Sequence, residues 1–300
     1  MSRQISYFIT ACKKLYFRLA AALLYKDKKL RKQKLKDWTT KAEKKYLKRY
    51  LYALDKTAEP TTAGEEKIIW VCWLQGEEKA PEVVKICLNS IRKNCRDYKI
   101  IVLTNENIKD YADIPDYIYE KKARNLISNT HFSDILRLSL LQQHGGIWID
   151  ATVLLTAPLP EKLMAVPVFA LHCRNIYGSN NWLLKSKPAH PLICGIRNLL
   201  LEYWKHENRL INYFVYHILF DLMVEENKAM RDEWDKVPVL YDGDCYDLEQ
   251  NFLNPFDKEL YDKICAKTTI HKLSYKYKKD RPLTGTFLEK LLNGELFKNA

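Results

Sequence analysis

The sequence lacks the patterns that mark several common functional classes. Its eight cysteines include no C-x-x-C pair, so the usual zinc-ligand spacing is absent, and free thiols are expected instead. There are only 9 glycines in 300 residues, and no G-x-G-x-x-G follows the first predicted strand, which argues against a classical dinucleotide fold. No signal-peptide pattern is recognisable, and no run of about 20 apolar residues could form a membrane span.

The excess of positive charge is confined to the first 50 residues, and the rest of the chain is nearly neutral. Residues 1–50 carry 16 Lys and Arg against 3 Asp and Glu, whereas residues 51–300 carry 33 against 34. An enzyme that acts on nucleic acid usually carries basic charge over its working face, so we expect no nucleic-acid partner. Within residues 3–25, apolar residues recur at helical spacing among basic ones, which is typical of a helix at an anionic membrane surface. The alternative is a solvated helix that packs on the domain or on a partner.

The distribution of charged and polar residues divides the chain into three predicted parts. Residues 1–54 are predicted to form a basic, amphipathic helical segment, and residues 55–66 are turn-rich and polar, as in a linker. Residues 67–300 contain the sequence expected of one folded domain, since 47% of the whole chain is hydrophobic and can supply a core.

The start of this domain has the pattern of a βαβ unit. Residues 67–74 form a continuous apolar run rich in β-formers, which predicts a buried parallel strand. Pro81 occupies a preferred first helical position, the helix ends near Asn94, and residues 98–103 form the next strand. We therefore predict an α/β fold with a parallel-rich sheet flanked by helices on both faces.

The most informative stretch joins a helix to a short strand. Asp134 and Arg137 share one face of a largely apolar helix over residues 131–144, and a buried charge is costly unless it is paired or used. Gly145 and Gly146 stop the helix and allow close backbone approach. A strand over residues 147–149 then delivers Asp150 to the edge of the sheet where ligands bind in α/β folds. Taken alone, Asp134 and Arg137 could simply form a structural salt bridge.

The text of this stretch, F-S-D-I-L-R followed by G-G-I-W-I-D-A-T, resembles a known group of enzymes. The order S-D-x-x-R, helix, G-G, strand, Asp is similar to glycosyltransferases of family 32, to the clostridial glucosylating toxins and, most closely, to the capsular polysaccharide synthesis proteins. The resemblance covers about residues 67–190. It implies a GT-A-type nucleotide-diphospho-sugar transferase fold and the transfer of a sugar, with retention of configuration.

The resemblance also implies roles for individual residues. Asp134 would bind hydroxyls of the donor sugar or ribose, and Arg137 would contact the sugar or the diphosphate, to which a fixed, planar cation is suited. Asp150 would be the first carboxylate of the Asp-x-Asp motif, and catalysis is assigned to Asp150 and Arg137. Trp73 would stack on the base, although a core tryptophan is the alternative. Further donor contacts are assigned to Gly145, Gly146, Trp148, Asn181 and Lys272.

A divalent cation, Mn²⁺ or Mg²⁺, is the expected cofactor, with Asp150, Thr152 and His271 as its ligands. The second carboxylate of Asp-x-Asp is Thr152 here, a neutral and weaker ligand, so the metal site is weakened. His271, in Ile270-His271-Lys272, could equally be structural. Lys272 would contact a phosphate. Asn180 and Asn181 could face the sugar, and a turn is an equal alternative.

The expected partners are a nucleotide-sugar donor, a polysaccharide or lipid-linked glycan acceptor of the capsule or cell surface, and an anionic membrane. The expected location is cytoplasmic, peripheral on the inner face of the cell membrane. Two other functions stay open. A glycoside hydrolase could use Asp134 and Asp150 as paired carboxylates, and the loss of a carboxylate at Thr152 permits a catalytically silent member that binds a nucleotide sugar or acts as a scaffold.

Overall fold

A computed structural model describes residues 3–55, 67–173, 178–277 and 282–297. The predicted linker, apart from its first residue, lies outside the described residues. The strands are β1 Ile68–Cys72, β2 Lys99–Leu103, β3 Gly146–Ile149, β4 Val153–Leu155, β5 Val168–His172, β6 Ser179–Ser186 and β7 Ile270–Lys272. The helices are α1 Arg3–Leu24, α2 Lys28–Leu47, α3 Glu82–Asn94, α4 Ile108–Tyr111, α5 Asp116–Ala123, α6 Asn129–His144, α7 Glu161–Met164, α8 Pro191–His206, α9 Val215–Glu226, α10 Lys228–Trp234, α11 Asp247–Gln250, α12 Lys258–Lys267 and α13 Phe287–Leu292. Short 3₁₀ helices span Lys48–Asp55, Glu77–Lys79, Gly243–Tyr246 and Glu295–Phe297.

The central sheet has the strand order β2-β1-β3-β6-β5. Strand β1 pairs in parallel with both β2 and β3, whereas β6 runs antiparallel to its neighbours β3 and β5. Four of the five strands therefore point the same way, and β6 alone is reversed. The predicted α/β architecture with a parallel-rich sheet and flanking helices is confirmed.

The βαβ unit forms because its sequence suits burial on both faces. Strand β1 is buried over four of its five residues, as a central parallel strand requires. Helix α3 follows Pro81 at its N-cap and buries one apolar face, and β2 returns beside β1 with Ile68 opposite Lys99. The predicted bounds of these elements agree with the structure to within two residues. Further along the chain, helices α9 and α10 meet at Asn227, which caps both.

A second, two-stranded sheet positions part of the site. Strands β4 and β7 pair antiparallel with Val153 opposite Lys272, and the Leu273 N–H donates to the Thr152 carbonyl at 2.9 Å. This pairing brings the C-terminal part of the chain to the segment that directly follows β3. Lys272 of β7 therefore lies beside Asp150 and Thr152.

The basic N-terminal segment packs on the domain at its C-terminal end. Tyr46, Leu47, Tyr50 and Ala53 are buried in the main core, and the Tyr46 and Tyr50 hydroxyls both donate to the Glu207 carboxylate. Helices α1 and α2 pack against each other, and Lys14 forms a 2.6 Å ion pair with the buried Glu43. The division at residues 54 and 66 stays a prediction, but the last part of residues 1–54 shares the core of the domain.

Within the described ranges, none of the helices combines the length and the hydropathy that a bilayer-spanning segment needs.

Candidate donor site

Five side chains from four elements converge on one cavity of about 400 Å³. Helix α6 supplies Asp134 and Arg137, and Asp150 follows the end of β3. Asn181 comes from β6 and Lys272 from β7. The cavity lies at the C-terminal end of β3, where ligands bind in open α/β sheets. The structure thus brings these five side chains together, and their roles in donor binding stay predictions.

Arg137 contacts several of the other polar side chains of the site. Its Nη1 lies 2.8 Å from Asp134 Oδ1 and its Nη2 lies 3.5 Å from Asp150 Oδ1. Nη2 also donates to Ser133 Oγ at 3.0 Å, and the guanidinium carbon lies 5.0 Å from the centre of the Trp148 ring. Only 3% of Arg137 is exposed, so its charge needs these partners. Its Nε atom is buried without a hydrogen-bond partner among the described residues.

Asp150 is held by donors on both of its oxygens. Oδ1 accepts from Trp148 Nε1 at 2.9 Å, and Oδ2 accepts from Lys272 Nζ at 2.8 Å. Burial by itself raises the pKa of this carboxyl, but the charges of Lys272 and Arg137, with the hydrogen bonds from Lys272 and Trp148, outweigh burial and lower the pKa below its usual value. Asp150 is therefore ionised at neutral pH, and a quarter of its side chain remains exposed to the cavity.

Asp134 has the opposite balance. It is 5% exposed, and burial raises its pKa more than the Arg137 charge and the Asn181 hydrogen bond lower it. Asn181 Nδ2 donates to Asp134 Oδ1 at 2.9 Å. Since Asn180 and Asn181 lie on strand β6, the alternative of a turn is wrong. Both asparagines line the cavity, where Asn180 Nδ2 donates to Asp242 Oδ2 at 3.0 Å.

The two glycines serve packing. Gly145 and Gly146 both have positive φ, at 67° and 89°. A Cβ on Gly145 would lie 2.7 Å from Pro188 Cδ, and one on Gly146 would lie 2.6 Å from the Ile68 carbonyl oxygen. These contacts are with the protein's own chain, and neither glycine lines the cavity. The assignment of Gly145 and Gly146 to donor binding is therefore corrected: they let α6 turn sharply into β3 beside β1.

Two tryptophans differ from their assigned roles. Trp148 is 1% exposed and does not line the cavity, so it positions Asp150 by hydrogen bonding and is not placed to touch a donor. Trp73 follows β1 and makes an edge contact with Tyr275 at 5.3 Å between ring centres. It lies outside the residues that line the cavity, with its Nε1 buried and unpartnered among the described residues. Stacking of Trp73 on a base stays a prediction.

The ligands predicted for a divalent cation do not meet. His271 is fully buried, and its Nε2 lies 3.3 Å from Thr156 Oγ1. Because neighbouring side chains on a strand point to opposite faces, His271 points away from the cavity that Lys272 faces, so His271 is not placed to share a metal with Asp150. Thr152 Oγ1 does lie beside the site, where it accepts from Lys272 Nζ at 2.8 Å. No group of three or more His, Cys, Asp or Glu suited to a metal occurs in the described parts of the chain.

Other residues of the cavity were not predicted. Trp182 and Tyr246 are joined by a 3.0 Å hydrogen bond, and both line the cavity with Asp242 and His217. The stretch Y-D-G-D-C-Y at 241–246 combines acidic, aromatic and turn residues, which is a pattern that could have indicated a binding loop. Lys36 of α2 also lines the cavity, so the basic N-terminal segment reaches the site, and nothing in its sequence indicated this.

The sequence matches a known family over most of its length. A model of the capsular polysaccharide synthesis protein family matches residues 21–291, so the chain belongs to this family. The match includes the N-terminal segment from the end of α1 onward and every residue of the cavity. A comparison with curated protein sequences found no match.

Two solved structures are similar at low identity. The PaToxG glycosyltransferase is 16% identical, with a TM-score of 0.41, over 65% of this chain and 81% of that one. A mutant transferase with two cysteine-to-serine substitutions is 12% identical, with a TM-score of 0.31, over 62% of this chain and 91% of that one. At these TM-scores neither structure supports a residue-level comparison.

Proposed function

We propose that this protein is a GT-A-type glycosyltransferase that moves a sugar from a nucleotide-sugar donor to a capsular or other surface polysaccharide acceptor, with retention of configuration. The observation that carries the proposal is the convergence of Arg137, Lys272, Asp134, Asp150 and Asn181 on one cavity at the edge of the sheet. Two cations suit a diphosphate, and carboxylate and amide groups suit sugar hydroxyls. Membership of a capsule-synthesis family supports the same class of reaction.

The donor is placed by charge. Lys272 and Arg137 face the diphosphate. The Asp134 carboxylate accepts hydrogen bonds from hydroxyls of the sugar, and the Asn181 amide donates to them. In the reaction, the bond between the anomeric carbon and the β-phosphate oxygen breaks with its electron pair on oxygen. The acceptor hydroxyl oxygen bonds to that carbon, and its proton passes to the departing diphosphate. Catalysis is therefore mainly electrostatic and positional.

The acceptor is proposed to be lipid-linked and to reach the site at a membrane surface on the cytoplasmic side. Helix α1 presents a group of exposed apolar side chains, Leu15, Tyr16, Leu19, Leu23 and Leu24. Exposed apolar groups beside many lysines favour an anionic bilayer surface. Lys36, in the helix that packs against α1, lines the donor cavity together with Tyr213 and Phe214. A chain that lies on the membrane through α1 thus has its cavity next to the anchored helices.

The test is a screen of nucleotide sugars by thermal shift, followed by detection of nucleoside diphosphate release from any that stabilise the protein. We expect one nucleotide sugar to raise the Tm and to be split faster when a glycan acceptor is added. Binding without any turnover would favour a catalytically silent member. Cleavage of a glycan with no nucleotide present would favour a hydrolase.

A further inference from the structure

The Lys272 ammonium lies between the side chains of Asp150 and Thr152, which stand at the two ends of the Asp-x-Asp-like stretch. Its Nζ lies 2.8 Å from Asp150 Oδ2 and 2.8 Å from Thr152 Oγ1. Thr152 is the residue at which this sequence departs from the second carboxylate of the motif. We propose that the Lys272 ammonium supplies the positive charge that the diphosphate needs, so that this protein binds its donor without a metal ion. The inference rests on the proposed nucleotide-sugar donor.

The charges around the cavity already balance. The cavity is lined by three carboxyl groups, of Asp134, Asp150 and Asp242, and by three basic side chains, of Lys36, Arg137 and Lys272. Asp134 and Asp150 lie 2.8 to 3.5 Å from Arg137 and Lys272. Both oxygens of Asp150 accept hydrogen bonds from Trp148 and Lys272. Mg²⁺ and Mn²⁺ prefer hard oxygen ligands, with carboxylates as their usual protein anchors. A metal on Asp150 would have to displace the ammonium and would then be held by a single carboxylate and a neutral hydroxyl.

The ammonium is fixed where a phosphate could use it. Lys272 lies on β7, whose pairing with Val153 of β4 sets its position beside Asp150, and its Nζ lies 5.9 Å from the centre of the Trp182 ring. The side chain is 18% exposed, so its tip meets the cavity. An ammonium has three N–H donors. Asp150 and Thr152 use two of them, and the third can donate to a phosphate oxygen.

Replacement of Thr152 by Asp tests whether the site holds an ammonium in place of a metal ion. A second carboxylate would restore the Asp-x-Asp pattern, and the ammonium would then bridge two carboxylates. In Lys272→Met with Thr152→Asp, the ammonium is gone and two carboxylates face the same space. We expect this double variant to gain Mn²⁺ binding that the wild type lacks.

The experiment is calorimetric titration of the full chain with UDP and with GDP, in EDTA and in Mn²⁺. We expect at least one nucleotide to bind wild type with affinities that agree within about threefold in the two buffers. Lys272→Met, which keeps the stem, should weaken that binding by about tenfold or more in EDTA, and Lys272→Arg should retain most of it. Lys263→Met, at an exposed position of α12, is the matched control and should bind as wild type does.

The outcomes separate the metal-free inference from the proposed function. Wild-type binding that appears only with Mn²⁺ overturns the inference and leaves the proposed function standing. Absence of UDP and GDP binding in both buffers overturns the inference, and the proposed function falls with it only if the screen of nucleotide sugars also finds no ligand. Electron paramagnetic resonance of Mn²⁺ gives a readout that does not depend on turnover: tight Mn²⁺ binding by nucleotide-loaded wild type contradicts the inference, and Mn²⁺ binding gained only by the double variant supports it.

Discussion

Replacement of Arg137 by Lys tests whether the buried guanidinium is part of the donor site. Arg137 reaches Asp134 with one nitrogen and both Asp150 and Ser133 with the other. A lysine ammonium is a single point of charge and cannot span these groups in one plane. Arg137→Lys therefore keeps the net charge but cannot contact Asp134 and Asp150 together; Asp150 keeps Lys272 as its cation, whereas Asp134 keeps a cation only if the new lysine turns to it.

The size of the effect follows from the hydrogen bonds that the substitution removes. A hydrogen bond to a charged group contributes roughly 1.5–3 kcal/mol to stability, and Arg137 is 3% exposed, so solvent screens the loss little. We expect the free energy of unfolding to fall by about 2 kcal/mol, which lowers the Tm by about 3 °C. Affinity for the nucleotide should fall by about tenfold or more, which corresponds to some 1.4 kcal/mol. The reason is that a guanidinium can donate two parallel hydrogen bonds to a diphosphate and an ammonium cannot.

The assay is calorimetric titration with the best nucleotide from the screen, with the Tm measured on the same samples. Arg92→Lys is the control, since Arg92 also forms a bidentate pair, with Glu77, but at an exposed position outside the cavity. It should leave donor affinity unchanged. If Arg137→Lys folds and binds the nucleotide as wild type does, Asp134 and Arg137 form only a structural pair and their assignment to the donor site is refuted.

Three further predictions use other parts of the molecule. Asp150→Ala should reduce turnover by about a hundredfold or more while the Tm changes by only a few degrees; near-normal turnover in a folded variant would remove Asp150 from the catalytic group. Leu19→Ser combined with Leu23→Ser and Leu24→Ser should weaken co-sedimentation with anionic liposomes by about tenfold or more without changing nucleotide binding; equal sedimentation would make α1 a packing helix. Burial lowers the pKa of His271 to about 4 from its usual 6.5. Between pH 6.5 and about pH 4, His271 is therefore protonated in the unfolded chain and neutral in the folded one. Stability should therefore fall by about 3 kcal/mol from this group as the pH drops from about 6.5 to about 4, and His271→Gln should flatten this dependence in urea unfolding; an unchanged pH slope would show that His271 does not contribute.

Substitutions are preferable to deletion of residues 1–50 for the membrane test. Tyr46 and Tyr50 lie in the main core and share the Glu207 carboxylate. Deletion would leave that carboxylate, which is 6% exposed, without two of its donors, and an unsatisfied buried charge is strongly destabilising. The exposed leucines of α1 can be changed without touching these contacts.

The sequence was sufficient where structure is local. The apolar run of β1 and the one-sided helix α3 predicted the βαβ unit because burial periodicity alone determines such elements. The three-residue spacing of Asp134 and Arg137 predicted their shared helix face, and the structure confirms their ion pair. The position of Asp150 at the end of β3 followed from the same stretch.

Long-range pairing could not be obtained from the sequence. Lys272 meets Asp150 because β7 pairs with β4, and a register shifted by one residue would exchange Lys272 for His271 in the cavity. Both residues were predicted for the site, and only the pairing distinguishes them. The basic composition of α2 likewise gave no indication that Tyr46 and Leu47, at its end, enter the core.

The cavity around Arg137, Lys272 and Asp150 is proposed to be where the bond between the sugar and the diphosphate of a nucleotide sugar is cleaved. The most direct measurement is the rate of nucleoside diphosphate release from the nucleotide sugar that stabilises the protein, with wild type, Asp150→Ala and the control Arg92→Lys compared at equal concentration. We predict release by wild type and by the control, and its loss in Asp150→Ala. No release by wild type with any nucleotide sugar and acceptor, or equal release by Asp150→Ala, would contradict the claim.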